Sequence, residues 1–149
     1  MLIVEYYLNN FMNIQVIIPA HIDSIRLKRK VLIDIKGLPM IEHVRRRVLL
    51  STKINKVYVA TGDIEIKKIV ESYGGNVILT KKIHQNGTNR AIEAIENLDC
   101  SHIVLVQGDE PLLLPENIDL MVENIISNKK INVWNAISPL KVDKELDEQ

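Results

Sequence analysis

Three short stretches of the chain hold residues whose types and spacing could handle a phosphate-bearing ligand. The first is Pro19-Ala20-His21-Ile22-Asp23-Ser24-Ile25-Arg26-Leu27-Lys28-Arg29-Lys30, where four basic residues fall within five positions directly after an apolar run. A polyphosphate needs several cations and donors, and arginine can grip it bidentately. Ser24 adds a hydroxyl and a backbone donor. The competing reading is a solvated basic loop, and spacing alone does not separate the two. The second stretch, His84-Gln85-Asn86-Gly87-Thr88-Asn89-Arg90, combines a glycine that admits close approach with the free amides of a helix start. Read alone, it is equally an ordinary helix cap with Asn86 or Thr88 as the capping residue. The third, Gln107-Gly108-Asp109-Glu110-Pro111, sets two adjacent carboxylates at the end of an apolar run. Oxygen donors so placed suit a hard cation such as Mg2+, which would bridge them to substrate phosphates. An acidic turn closed by Pro111 is the plainer alternative, but charge beside a buried strand calls for a partner.

Other candidates are weaker. The four histidines do not cluster in a metal spacing, and His43 and His102 read as structural. Cys100, the only cysteine, excludes an internal disulfide and a zinc-thiolate cluster, and reads as a small buried residue before a strand. A lone thiol agrees with a reducing, cytoplasmic compartment. Arg45-Arg46-Arg47 reads as a solvated helix face, and Trp134 as core. A formal net charge of zero and 4% aromatics argue against nucleic-acid binding. No apolar run reaches membrane-spanning length, and Met1 to Phe11 make a poor secretory signal. Residues 1–12 read as an amino-terminal extension, with Met12 as an alternative start, and 13–149 as one domain.

The elements that must position the three stretches follow from periodicity. Gln15 to Pro19 reads as a buried strand, followed after a Gly37-Leu38-Pro39 turn by a helix from Met40 to Leu50. Lys56 to Thr61 is a second strand. A helix then starts at Asp63 as N-cap, turns Ile66, Ile69 and Val70 inward and stops at Gly74-Gly75. Asn76 to Thr80 is a third strand, and Thr88 to Leu98 a helix with Ala91, Ile92 and Ile95 inward. His102 to Val106 is a fourth strand, Pro115 to Ser127 a helix that Pro115 can start, and Asn132 to Ile137 a fifth strand. Lys141 to Gln149 is charged and expected to be exposed. Strand–helix alternation predicts an α/β fold: a mainly parallel sheet with helices on both faces. Ligands of such sheets sit beyond the carboxyl ends of the strands, where all three stretches fall.

Taken in order, these stretches resemble the 3-deoxy-manno-octulosonate cytidylyltransferases, relatives of the acylneuraminate cytidylyltransferases. The family's Pro-Ala-Arg-x-x-Ser-x-Arg-Leu-Pro-Gly-Lys is met at Pro19, Ala20, Ser24, Arg26, Leu27 and Lys30. Its Gly-Lys-Pro-Met-Ile is echoed by Gly37-Leu38-Pro39-Met40-Ile41 and its Val-Ala-Thr by Val59-Ala60-Thr61. Its Ser-Gly-Thr-Asp-Arg and following Glu become Asn86-Gly87-Thr88-Asn89-Arg90 and Glu93. Its Gln-Gly-Asp-Glu-Pro stands intact from Gln107 to Pro111 and favours the octulosonate branch.

The resemblance spans about Asn13 to Leu140 and implies a Rossmann-like nucleotidyltransferase fold of the nucleotide-diphospho-sugar transferase type, amino-terminal part only. It implies transfer of a cytidylyl group from CTP to a sugar acid, giving a CMP-sugar for lipopolysaccharide. Carried over by position, Lys30, Arg26 and Asp109 would be catalytic. Ala20, Ser24, Arg26, Lys30, Gly87, Thr88, Arg90 and Gln107 would hold the nucleotide, and Asp109 would ligate Mg2+. His21 replaces the family's first arginine, Lys28-Arg29 its Pro-Gly, and Asn86 and Asn89 its Ser and Asp. The family chain is much longer and carries a second magnesium-binding aspartate, much of the sugar site and much of a dimer contact, so the family homodimer is not expected to be well supported here. A CTP-binding module without chemistry, an inactive remnant, and a nucleotidyltransferase for another base or sugar acid are the rival expectations.

Overall fold

In a computed structural model of the chain, residues 12–24 and 27–137 are described. Arg26, the amino-terminal extension up to Phe11 and the charged tail Lys141–Gln149 therefore lie outside the described residues. The elements in chain order are β1 (Ile14–Pro19), a 3-10 turn (Lys30–Leu32), β2 (Asp34–Ile35), β3 (Leu38–Pro39), α1 (Met40–Val48), β4 (Lys56–Thr61), α2 (Ile64–Ser72), β5 (Asn76–Leu79), α3 (Gly87–Ile95), β6 (His102–Leu105) and α4 (Pro115–Ser127).

β1 is central because all six of its residues are buried. A strand apolar on both faces can be satisfied only inside a sheet covered on both sides. The main sheet has the order β5-β4-β1-β6, and its strands run parallel, with Val16 opposite Val57 on one side and Val104 on the other. On one face Ile14, Val16 and Ile18 join Val57, Val59 and Val104 beneath Ile41, Val44 and Val48 of α1, Ile66 and Val70 of α2, and Ile118 and Val122 of α4. On the other face Ile17 and Ala60 meet Ala91 and Ala94 of α3. Each large aliphatic side chain so buried stabilises the fold by roughly 1.5–3 kcal/mol before entropy is counted. Helices therefore cover both faces, as the alternation predicts. β2 and β3 form a small antiparallel hairpin where the sequence reads only as a turn, with Gly37 at φ 87.

Several expectations need correcting. Asn132 to Ile137 is irregular instead of a fifth strand. Its alternation buries no aliphatic side chain, since Val133 and Ile137 stay 83% and 89% exposed. The segment flanks a cavity beside β6 without pairing to it, and Trp134 lies half-buried there and outside the core clusters. Ile92 points outward, and Ala94 takes the inward place. A helix starting at Gly87 aligns Ala91, Ala94, Ile95 and Leu98 as an i, i+3, i+4, i+7 stripe, which leaves Ile92 off its edge. Ile69 is only partly buried, and Cys100 is also partly exposed, with its thiol pushed up by burial and by Asp99.

Arg45 is not on a solvated face. It is buried, donating from Nε and Nη2 to the fully buried Glu42 at 2.7 and 2.8 Å and to the Tyr73 carbonyl at 3.0 Å. Arg46 adds a 2.7 Å bond to the same carboxylate and lies over the Tyr73 ring. Among the described residues, no helix is long and apolar enough to cross a membrane.

Candidate nucleotide-binding cleft

β1, β4 and β6 are parallel, so their carboxyl ends open at one end of the sheet, and a cleft of about 690 Å³ lies there. One wall comes from Pro19, Ala20, His21, Asp23, Ser24 and Lys30, and the opposite wall from Thr80 through Gly87 together with Arg90. Gln107, Gly108 and Asp109 close the third side. The three stretches singled out in the sequence thus meet around one space. Every candidate among the described residues except Thr88 lines it: Ala20, Ser24, Lys30, Gly87, Arg90, Gln107 and Asp109. Thr88 lies in the first turn of α3, behind the rim.

The walls are joined across the mouth. Lys30 Nζ donates to Asp109 Oδ2 at 2.5 Å, and both side chains keep contact with solvent. The basic stretch does not act as one patch, however. Lys28 and Arg29 are absent from the lining, and Arg29 is drawn away by a bidentate pair with Glu65 of α2. Arg29 has φ 59, the left-handed backbone region that favours glycine, and this is the position where the resembled family carries Gly. The turn geometry is thus kept at a residue that is not glycine. Of the two carboxylates after β6, Asp109 faces the cleft and Glu110 borders the cavity by β6 instead.

Two glycines are required by close approach. A Cβ on Gly87 would stand 2.9 Å from Pro19 Cγ and 3.3 Å from Gln107 Oε1. A Cβ on Gly108 would stand 3.0 Å from the Pro19 carbonyl oxygen and 3.1 Å from Ile41 Cδ1. The second and third stretches are therefore packed directly on the end of β1. Asn86 caps α3 by accepting from the Asn89 amide at 2.8 Å, leaving the helix start directed at the cleft. Arg90 is buried, donates to Thr80 Oγ1 at 2.7 Å, and has no carboxylate partner among the described residues. Its charge is left to the cleft it lines.

Several positioning groups went unread in the sequence. Asp63 stands at the N-cap position of α2 but makes no side-chain cap bond there. Its carboxylate instead accepts from the Ile22 amide at 3.0 Å and so ties the first stretch to the end of β4. Lys81 and Lys82 line the cleft, and Glu93 on α3 accepts the Lys81 amide at 2.7 Å and His84 Nε2 at 2.6 Å. The Lys81 amide bond holds the Glu93 carboxyl below its usual range against the opposing effect of burial, and His84 and the Lys82 amide add to it. The lysine pair after Thr80 and Glu93 were both visible as sequence; the contact between them was not, because Glu93 lies on the helix beyond the loop.

Among the described residues no group of three or more His, Cys, Asp or Glu could hold a metal by itself. Magnesium is usually held by one or two carboxylates plus substrate phosphates, and Asp109, which lines the cleft along with Asp23 and Asp63, is compatible with that mode.

A parallel sheet with a phosphate-suited cleft at the carboxyl ends of its strands is the arrangement in which doubly wound α/β proteins hold their ligands. The chain belongs to the cytidylyltransferase family, whose model matches residues 15–146. It is 39% identical over 128 residues to the 3-deoxy-manno-octulosonate cytidylyltransferase of Pelodictyon phaeoclathratiforme, covering 86% of this chain and 52% of that protein. It is 43% identical over 121 residues to the protein of the same name from Francisella tularensis subsp. novicida, covering 79% and 48%. Its structure matches that of CMP:2-keto-3-deoxy-manno-octonic acid synthetase complexed with CTP, with TM-score 0.78 and 33% identity over 80% of this chain and 49% of that one. The chain spans about half the length of the curated relatives it matches.

Proposed function

We propose that the cleft binds CTP and serves transfer of its cytidylyl group to a 3-deoxy-manno-octulosonate-type sugar acid. The observation that carries this reading is the convergence of Lys30 and Asp109, from two strand ends, on a cleft also lined by Arg90, Lys81 and Lys82. The names of the relatives and the CTP in the matched solved structure support the choice of nucleotide and acceptor.

In this reaction a sugar-acid hydroxyl oxygen forms a bond to the α-phosphorus of CTP. The α–β phosphoanhydride bond breaks, pyrophosphate leaves, and the hydroxyl proton passes to solvent. Positioning and charge neutralisation supply most of the rate in such transfers. Lys30 would move from Asp109 to the phosphates, and the family pattern gives Arg26 the same task. Ala20 and Ser24 would offer backbone and hydroxyl groups to the same charge, while Gly87 and Arg90 at the start of α3 and Gln107 would hold the nucleotide from the other side. Asp109, released from Lys30, would hold Mg2+. That ion, when bound, offsets phosphate charge and polarises the transferred group. A cytoplasmic setting accords with a lone cysteine, Cys100.

The test is pyrophosphate release from CTP plus octulosonate and Mg2+, alongside direct measurement of CTP binding. Release with CTP and not with UTP, GTP or ATP is expected. Binding without release would leave a nucleotide-binding module, and a folded chain that does not bind CTP would remove the reading altogether.

A further inference from the structure

We propose that Glu93 and His84 form a clamp that sets the Lys81–Lys82 segment in place to receive the nucleotide's phosphate charge. This rests on the CTP reading above and assigns positioning residues to the same site.

The clamp is built across the cleft rim from two elements. Glu93 lies on the second turn of α3, and its Oε1 accepts the Lys81 amide at 2.7 Å. Its Oε2 accepts His84 Nε2 at 2.6 Å and the Lys82 amide at 3.3 Å. One carboxylate thus binds two successive amides and the ring three residues after the first of them, which fixes the course of the loop leaving β5. The pair is well shielded, with side-chain exposures of 8% for His84 and 14% for Glu93. Charge-assisted bonds of this kind are the strong ones, and shielding strengthens them further.

α3 does not need this carboxylate for its own fold. It is capped by Asn86 and anchored to the sheet through Ala91 and Ala94. The clamp acts on the loop, and the loop carries two cations along the cleft wall. Lys82 Nζ lies 3.8 Å from Glu96, whereas Lys81 has no ion-pair partner among the described residues. Because Glu93 is engaged by amides and the His84 ring, it does not compete for Lys81. The result is a cation on the wall opposite Lys30, held by a backbone that the ligand does not have to order on binding. Pre-ordering of that kind raises affinity by lowering the cost of binding.

The experiment combines amide hydrogen exchange of the free chain with CTP titration of folded wild type, Glu93→Ala, Glu93→Gln, Lys81→Ala and the Glu93→Ala/Lys81→Ala double variant. Glu93→Ala is expected to speed exchange at Lys81 and Lys82 and to weaken CTP on the order of tenfold. Glu93→Gln, which keeps one acceptor oxygen, should recover part of both losses. Lys81→Ala should weaken CTP with exchange unchanged, and the double variant should bind little worse than the worse single one. Faster exchange in Glu93→Ala with unaltered CTP affinity would overturn the positioning role, as would full additivity in the double variant. Unprotected amides in the wild type would overturn the clamp itself. Protected amides in a wild type that does not bind CTP would instead overturn the nucleotide reading, and the positioning role with it.

Discussion

Lys30 and Asp109 stand 79 positions apart in sequence and meet at 2.5 Å across the mouth of the cleft. The contact joins the loop after β1 to the loop after β6, two strands that are neighbours in the sheet. An ion pair this open to solvent contributes only about 0–1 kcal/mol to stability. Lys30→Ala and Asp109→Asn should therefore melt within a few degrees of the wild type. A large loss of thermal stability in either, read by calorimetry, would mean that the pair serves the fold rather than a ligand.

Gly108→Ala should be harmful in a different way. The added methyl would press on the Pro19 carbonyl, part of the backbone of the central strand, and on the buried Ile41. Neither can yield freely, so a loss of about 1–3 kcal/mol in stability is expected. Urea unfolding checks this. The same displacement should move Asp109 and weaken nucleotide binding, and full stability with full binding in the variant would contradict the packing described here.

Arg29→Gly separates the basic residues that serve the cleft from those that do not. The substitution removes the exposed pair with Glu65 and relieves a side chain held at φ 59. The two effects oppose each other, and Tm is expected to move by less than about 3 °C. CTP affinity should be unchanged, because Arg29 points away from the cleft toward α2. A tenfold loss of affinity in a titration would place Arg29 in the site after all.

Glu42 offers a pH test of the core. Burial pushes its carboxyl up, but the hydrogen bonds and charges of Arg45 and Arg46 outweigh that and leave it below the usual range. A carboxyl lowered by folding contributes stability that is complete above its unfolded pKa and is lost as pH falls through the folded one. Glu42→Gln strands the buried Arg45 charge and should cost about 3–5 kcal/mol at neutral pH. The gap between variant and wild type in urea unfolding should persist from pH 8 to 6 and shrink below about pH 4. A gap that widened on acidification would reverse the assigned sign.

The parallel sheet was legible because β1, β4 and β6 are short apolar runs that end at polar loops, and a strand end is where such a fold places its ligands. The three loops were legible as residue types in order. What periodicity could not show were contacts made by single side chains across long separations. Asp63 looked like a cap and proved to be a tie to Ile22. Arg29 counted among the basic residues of the first stretch, which spacing left open between a phosphate site and a solvated loop, and it proved to be the partner of Glu65. Asn132 to Ile137 had the alternation of a strand, but alternation confers strand structure only when a neighbouring edge and a core are there to accept it. Arg45 was hidden in a run of three arginines, because only packing against Tyr73 and Glu42 distinguishes the buried one.

The most direct test of the cleft is isothermal titration of CTP into the folded chain with and without Mg2+, repeated with Lys30→Ala and Asp109→Asn. The wild type should bind CTP more tightly with Mg2+ present. Lys30→Ala should lose on the order of tenfold or more in affinity, and Asp109→Asn should lose most of the dependence on Mg2+. Equal CTP affinity in all three proteins, indifferent to Mg2+, would contradict the assignment of these two residues to a nucleotide site.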